Sequence, residues 1–296
     1  MPVPRPFSLT YHAPASSLIR RRFSCRSYLP EPIQAGDRRA LEKALAGITS
    51  GPLGSPLRFL LIAASAEDLN ALRGLGTYGF IRGATGFIIG AAPASERYLE
   101  DFGYRMEQIV LLITDLGLGS CWLGGTFTQS SFARKALPRK DEEMPAVVSL
   151  GRFAGENPAR RGTASRLAGS NNRRPWEEIF FRESFSYPLT REAAGPYAKP
   201  LEMTRLGPSA SNKQPWRIVR TDGGWHFYLQ RTPGYREGFF QRILRLADLQ
   251  RIDMGIAMCH FELTARECGL RGEWIEREPP VETPDALTEY CISWST

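Results

Sequence analysis

Arg22, Ser24 and Arg26 stand at alternate positions in residues 19–28 (IRRRFSCRSY), a run that also holds Arg20 and Arg21. Forked guanidinium groups beside a hydroxyl suit a phosphate or a carboxylate. A helix over this run would put Arg22 and Arg26, four apart, on one face; a solvated basic helix is the plain alternative. Residues 208–216 (PSASNKQPW) bring Ser209 and Asn212, a hydroxyl and an amide, into a proline-bounded turn. In residues 115–127 (DLGLGSCWLGGTF), Gly124 and Gly125 follow an expected helix and would let the backbone approach a ligand or take positive φ. Closing that helix's C-terminus is their plainer use. Arg173 and Arg174 form a further basic pair, which a linker would equally carry.

No side chain stands out as a nucleophile or general base. Cys25 lies beside Arg22 and Arg26, which would lower its pKa, but no His is near it in sequence. The five Cys form no CxxC pair and the three His are scattered. Neither a zinc site nor a disulfide framework is therefore expected. His260 reads as a satisfied core group, Cys121 as buried and Trp216 as packing.

A net charge of +7 admits nucleic acid, anionic lipid or an anionic cofactor as partner. No RRM, zinc-finger or KH signature accompanies it. The apolar runs fall far short of the ~20 residues that span a bilayer, and the proline-broken N-terminus lacks an export pattern. A reducing cytoplasm is the expected setting. With 42% apolar and 23% charged residues, a chain of 296 is globular, with room for one large domain or two fused units.

The elements that must position these residues follow from apolar patterning. Helices are expected over 19–28, 38–47, 66–75, 98–118, 200–206 and 244–268, the fourth and last of them long and buried. Strands are expected over 58–64 (RFLLIAA), 86–92 (GFIIGAA), 146–150, 216–220, 225–230 and 290–295. The fourth and fifth strands pair across Asp222, Gly223 and Gly224 as a hairpin. Residues 155–172 read as a linker.

The second half repeats the first. A shift of 152 places Asp101, Gly103, Met106, Leu111, Gly117, Leu118 and Trp122 on Asp253, Gly255, Met258, Leu263, Gly269, Leu270 and Trp274. A shift of 159 places Pro56 and Arg58 on Pro215 and Arg217. Two tandem copies of one unit can imitate a two-fold homodimer.

The three motif segments, in this order, resemble the FMN-dependent nitroreductases, and the duplication resembles that family's internally duplicated branch. The basic run is similar to the family's Arg-x-Ser-x-Arg-x-aromatic motif, residues 115–127 to its helix end and Gly-rich turn, and residues 208–216 to its Pro-Ser-x-x-Asn-x-Gln-Pro-Trp loop. The resemblance implies an α+β fold of three layers, α/β/α, with two related halves, 15–176 and 177–296, forming an intramolecular pseudo-dimer. It implies that Arg22, Ser24 and Arg26 hold the FMN phosphate, with Arg173 and Arg174 as a looser match to a second basic pair. Phe23 takes a place often held by Arg or His. Pro208, Ser209, Ala210 and Asn212 would lie along the isoalloxazine, and the amides of Gly124 and Gly125 would face N5 and O4. Gln214, Pro215 and Trp216 would set the loop's entry into the strand.

The motif set is split between the halves. The counterpart of the Pro-Ser loop, residues 49–57 (TSGPLGSPL), has Leu53 where Asn212 stands. The counterpart of the basic run, residues 182–187 (RESFSY), has Ser186 where the second Arg should be. One intact FMN site and one degenerate site are expected. The implied activity is two-electron reduction of an electron-poor small molecule, a nitroaromatic or a quinone, with NADH or NADPH as donor. The alternative is a flavin-binding protein with little turnover. The expected partner is a small molecule rather than nucleic acid or a membrane, for a monomer with pseudo-two-fold symmetry.

Overall fold

Apolar strands and one long helix build each half of the chain. The computed structural model describes residues 9–65, 68, 70–154, 172–235 and 247–296. It divides into two compact units, Met1–Gly162 and Thr163–Thr296.

In the first unit, α1 (Ala15–Arg21) and α2 (Ala35–Gly47) precede β1 (Arg58–Ala63) and β2 (Gly86–Pro93). Then come α3 (Tyr98–Asp115), β3 (Gly119–Leu123), α4 (Gln129–Ala136), β4 (Glu142–Glu143) and β5 (Val147–Gly151). The sheet runs β1-β2-β5-β3, with β4 paired to the end of β2 and all of these pairs antiparallel. The seven residues 86–92 of β2 are all buried, which explains its unbroken apolar sequence. Residues 99–113 of α3 are likewise all buried. Its polar members are satisfied: Arg105 Nε donates to Ser50 O at 2.8 Å, and Trp122 Nε1 donates to Glu107 Oε2 at 2.8 Å.

In the second unit, β6 (Phe180–Arg182) and β7 (Ser184–Pro188) lead to α5 (Ala198–Arg205). The hairpin of β8 (Trp216–Thr221) and β9 (Gly224–Gln230) follows, then α6 (Leu249–Glu267), β10 (Glu273–Ile275) and β11 (Thr288–Ser295). The sheet order is β10-β11-β9-β8-β6-β7, parallel only between β6 and β8. Gly224, at φ 125°, closes the hairpin where a Cβ would lie 2.2 Å from Trp294 O. Phe227, Phe261, Trp274 and Trp294 form an edge-to-face aromatic core.

The four strands β3-β5-β2-β1 correspond to β10-β11-β9-β8. Both long helices end alike. Gly117 (φ 73°) and Gly269 (φ 74°) occupy the left-handed position, and Leu118 N and Leu270 N reach back to Ile113 O at 3.0 Å and Ala265 O at 2.9 Å. This closure needs a residue free to adopt positive φ, so the repeated Gly-Leu pairs have a physical cause.

Several expectations fail. The helix expected over 19–28 stops at Arg21, and residues 22–28 are not helical. Ser24 bridges Ser120 in parallel at the edge of β3 and Cys25 N donates to Ser120 O at 2.8 Å, while Ser27 bridges Arg82. An open sheet edge offers this segment partners that an isolated short helix lacks. Residues 70–74 form turns rather than a helix, ending at Gly74 with φ 83°; residues 66, 67 and 69 lie outside the described set. Gly124 and Gly125 follow a strand, β3, and the left-handed glycine ending α3 is Gly117. Residues 182–187 turn from β6 into β7 beside β8, whereas the basic run borders β3, whose counterpart is β10; the two segments are not equivalent. Arg173, Arg174 and Trp176, placed by sequence with the first half, fall in the second unit, where the Trp176 ring meets Phe180. Most of the expected linker, 155–171, and the expected helix start, 244–246, lie outside the described residues. Among the described residues no helix is long and apolar enough to cross a membrane.

Candidate functional site

In the first unit α1 delivers its last turn of arginines to the edge of β3, and the chain then extends. Alternate residues of an extended segment share a side, so Arg22, Ser24 and Arg26 share one by extension rather than by helix geometry. All three act on the same neighbour. Burial pushes the Cys121 thiol up, opposed by the charges of Arg26 and Arg22 and by a hydrogen bond with Ser24. Cys25 lies on the other side, where a Cβ on Gly119 would meet its sulfur at 2.9 Å. Burial pushes Cys25 up to about 11 and the pull of Arg26 is slight, so the expected lowering of its pKa does not occur.

The Arg22 side chain is 7% exposed and its Nε lies 3.9 Å from Glu107 Oε1. That separation is outside hydrogen-bond range, and Nε, fully buried, has no hydrogen-bond partner. Trp122 Nε1 holds the other Glu107 oxygen at 2.8 Å. A cavity of about 220 Å³ opens here, lined by Arg22, Phe23, Ser120 and Phe153 among others. Phe23 packs edge-to-face on Phe153 at 5.0 Å and makes an apolar wall. A buried guanidinium N–H without an acceptor, beside Ser24 and Arg26, fits the phosphate of the FMN that the sequence resemblance implies. From Ser120, the partner of Ser24, β3 runs about 13 Å to Gly124, and Gly124 and Gly125 then bend away, half-buried.

In the second unit the Pro-Ser loop is held from within. Ser211, Asn212 and Gln214 have φ of 48°, 54° and 50°, conformations that cost on the order of 1 kcal/mol each and persist only where neighbours enforce them. Asp253 Oδ1 and Oδ2 accept Ala210 N at 3.0 and 3.1 Å. Ser209 Oγ accepts Gln214 N at 2.8 Å. Gln214 Oε1 accepts Arg174 N at 2.8 Å, and Gln214 Nε2 donates to Asn172 O at 3.1 Å. Asn212 Oδ1 accepts Arg173 Nη1 at 2.5 Å, while its Nδ2 donates to Asn172 O at 2.9 Å. The Arg174 guanidinium pairs with Glu178 at 3.1 Å. Pro208, Ser209 and Ala210 are half-buried, and Trp216 is fully buried, as its packing role requires.

Within the first unit, then, Arg22, Phe23, Ser24 and Arg26 come together; within the second, Arg173, Arg174, Ser209, Ala210 and Asn212 do. Sequence reasoning missed Glu107, Phe153, Asn172 and Asp253. Of these, only Asp253 left a signal, its identity with Asp101 under the repeat. His260 is a core group, its Nδ1 3.0 Å from Met203 O. No group of acidic, His or Cys side chains able to hold a metal occurs among the described residues.

The fold is similar to that of a "putative nitroreductase" from Thermotoga maritima. It is 21% identical, with a TM-score of 0.57, and the match covers 94% of this chain and 95% of that one. A "putative nitroreductase in complex with FMN" from Desulfovibrio desulfuricans is 23% identical, with a TM-score of 0.40, covering 53% of this chain and 95% of that one. No curated protein matches the sequence. The family described as "Putative TM nitroreductase" matches residues 16–265, and with most of its length so covered the chain belongs to that nitroreductase family.

Proposed function

We propose that the chain binds one FMN and acts as an FMN-dependent oxidoreductase, carrying two electrons from NADH or NADPH to an electron-poor small molecule of the nitroaromatic or quinone class. The observation that carries this reading is Arg22, a buried guanidinium whose Nε has no hydrogen-bond partner, set beside Ser24 and Arg26. Membership of the nitroreductase family supports it.

Bound FMN would supply hydride acceptance and onward two-electron transfer. The chain's own residues bind and orient. Arg22 and Arg26 give the phosphate forked, charge-assisted donors, and Ser24 adds a hydroxyl. Phe23 and Phe153 keep water from that end. Pro208, Ser209 and Ala210 present a preformed backbone surface to the ring, and the Gly124 and Gly125 amides offer donors toward N5 and O4. The natural partner is then a small molecule rather than nucleic acid or a membrane, and the chain acts as a monomer.

One FMN per chain follows because each unit carries only part of the motif set. A flavin-binding protein with little turnover is the second reading, favoured by the apolar Phe23 wall where the family often has a polar side chain. Flavin absorbance after denaturation gives the stoichiometry: one FMN per chain is expected, and two, or none, overturns the proposal. The visible spectrum before and after NADH or NADPH separates the readings: bleaching supports turnover, and a yellow chain that neither donor bleaches supports the second.

A further inference from the structure

We propose that a cavity beside the Pro-Ser loop takes the carboxylate of a small aromatic acid, so that the electron acceptor is a nitroaromatic or quinone bearing an acidic group; this rests on the FMN reading above. The cavity, of about 280 Å³, is lined by residues of the second unit. Ala210 and Lys213 of the Pro-Ser loop, Thr232, Pro233 and Tyr235 after β9, and Leu249 at the start of α6 are among them. An apolar cavity of roughly 150 Å³ is enough to admit benzene, so this one has room for a ring and a substituent. On the FMN reading Ala210 lies along the isoalloxazine, and a molecule seated here borders the flavin.

The three walls are tied to one another. Asp253 on α6 holds Ala210 N at 3.0 and 3.1 Å. Gln250 Nε2 donates to Thr232 Oγ1 at 2.7 Å, and Leu249 N donates to Tyr235 Oη at 2.9 Å. Tyr235 N donates to Thr232 O at 3.0 Å and closes the turn between them. The polar groups left for a ligand are donors. Lys213 is exposed and has no hydrogen-bond or ion-pair partner among the described residues. The Thr232 and Tyr235 hydroxyls each accept an N–H, and neither gives its proton to an acceptor among the described residues. Burial pushes the Tyr235 phenol up to about 12, with Asp248 adding to the rise, so it keeps that proton near neutral pH. Asp248 itself is engaged by Arg231 Nη1 at 2.5 Å and by Gln250 N and Arg251 N. Among the described residues no carboxylate lines the cavity. One ammonium and two O–H donors suit an anionic pair of oxygens, and Ala210, Pro233 and Leu249 suit the ring that carries it.

Benzoate and its neutral counterpart benzamide, titrated by calorimetry onto the flavin-free full-length chain, test the site without turnover. Benzoate is expected to bind about fivefold or more tighter than benzamide. Lys213→Met is expected to erase that difference while leaving benzamide within about twofold, and Lys213→Arg to keep it. Tyr235→Phe is expected to weaken benzoate about threefold. Equal binding of the two probes by the parent, or a preference for benzoate that survives Lys213→Met, overturns the inference. Loss of that preference in Arg26→Ala instead overturns it too, by sending the carboxylate to the first unit. In the FMN-loaded chain, Lys213→Met is expected to raise KM for para-nitrobenzoate about fivefold with kcat within about twofold, and to leave para-nitrobenzamide unchanged. An unchanged KM for para-nitrobenzoate overturns the acidic class of acceptor. A parent chain that binds benzoate but no FMN would keep the cavity as a carboxylate site and overturn the FMN reading itself.

Discussion

Asp253 takes the backbone N–H of Ala210 with both carboxylate oxygens, at 3.0 and 3.1 Å, from a fully packed position on α6. Asp101, 152 positions earlier on α3, does the same work in the first unit, accepting Leu53 N at 2.7 Å and Ser55 N at 2.8 Å. In each unit a buried carboxylate on the central helix pins the loop that enters β8 or its counterpart β1. The helix therefore does more than fill the core: it sets the shape of the loop.

Burial pushes the Asp253 carboxyl well above its ordinary value, against the pull of the Ala210 N–H and with Asp248 adding to the rise. A carboxyl with a raised folded pKa holds its proton more tightly folded than unfolded. Its contribution to stability is full below the unfolded value of about 3.9 and is lost as pH rises through the folded value. Asp253→Asn keeps an oxygen for Ala210 and cannot ionise. The variant is expected to be more stable than the parent near neutral pH, with the difference vanishing below about pH 4. Urea midpoints at several pH values check this, and a variant less stable at every pH refutes it.

The long helices and the principal strands were legible because burial writes apolar runs into the sequence: β2 is apolar throughout, and α3 is apolar on nearly every face in its second half. The basic run misled because its four-residue Arg spacing fits a helix, while the partner that draws it into extension, β3, is five residues long and hidden in the Gly-rich segment. The short β10 was missed for the same reason, and β6 because its parallel partner β8 lies far along the chain. At the candidate site, Arg22, Ser24 and Arg26 could be named from residue type together with the family resemblance. Glu107 could not, and Asp253 showed only as an identity with Asp101 under the repeat, because a buried carboxylate within an apolar helix declares its role only through the N–H group it meets.

Leu53→Asn is expected not to restore a second flavin site. Leu53 N is held by Asp101, and Gly51 is packed so tightly on that side chain that a Cβ there would lie 2.1 Å from Asp101 Cγ. The loop closes on itself, with Ser50 bridged to Pro56. One residue cannot open it. Flavin stoichiometry of the variant should stay at the parent value, and a rise to two per chain would show that the loop was limited by its side chain alone.

Thiol chemistry should be confined to one residue. Cys268 is exposed, while Cys25, Cys121, Cys259 and Cys291 are buried. Burial pushes Cys25 up to about 11 and raises Cys121 as well, so neither is a ready thiolate near neutral pH. Titration of the native chain with an aromatic disulfide reagent is expected to release one fast equivalent, and five after unfolding in denaturant. A second fast equivalent that Cys25→Ser removes would mean that the basic segment opens in solution.

On the proposed function Arg22 has two jobs that one substitution confuses. It faces Glu107, which is 0% exposed, at 3.9 Å, and it lines the cavity while its Nε has no hydrogen-bond partner. Arg22→Ala therefore takes the facing positive charge from a buried carboxylate and should cost on the order of 2 kcal/mol of stability even without flavin. Glu107→Gln removes the charge while leaving an oxygen for Trp122 Nε1. The double variant Arg22→Ala/Glu107→Gln is then expected to recover most of the lost stability, because the penalty belongs to the buried charge that Arg22 no longer faces. FMN affinity should stay down by at least about tenfold in both, because the guanidinium is absent from each. Urea unfolding and FMN titration of the four chains measure the two effects separately. Recovery of FMN binding along with stability would mean that Arg22 serves only to neutralise Glu107, and the phosphate would have to be sought elsewhere.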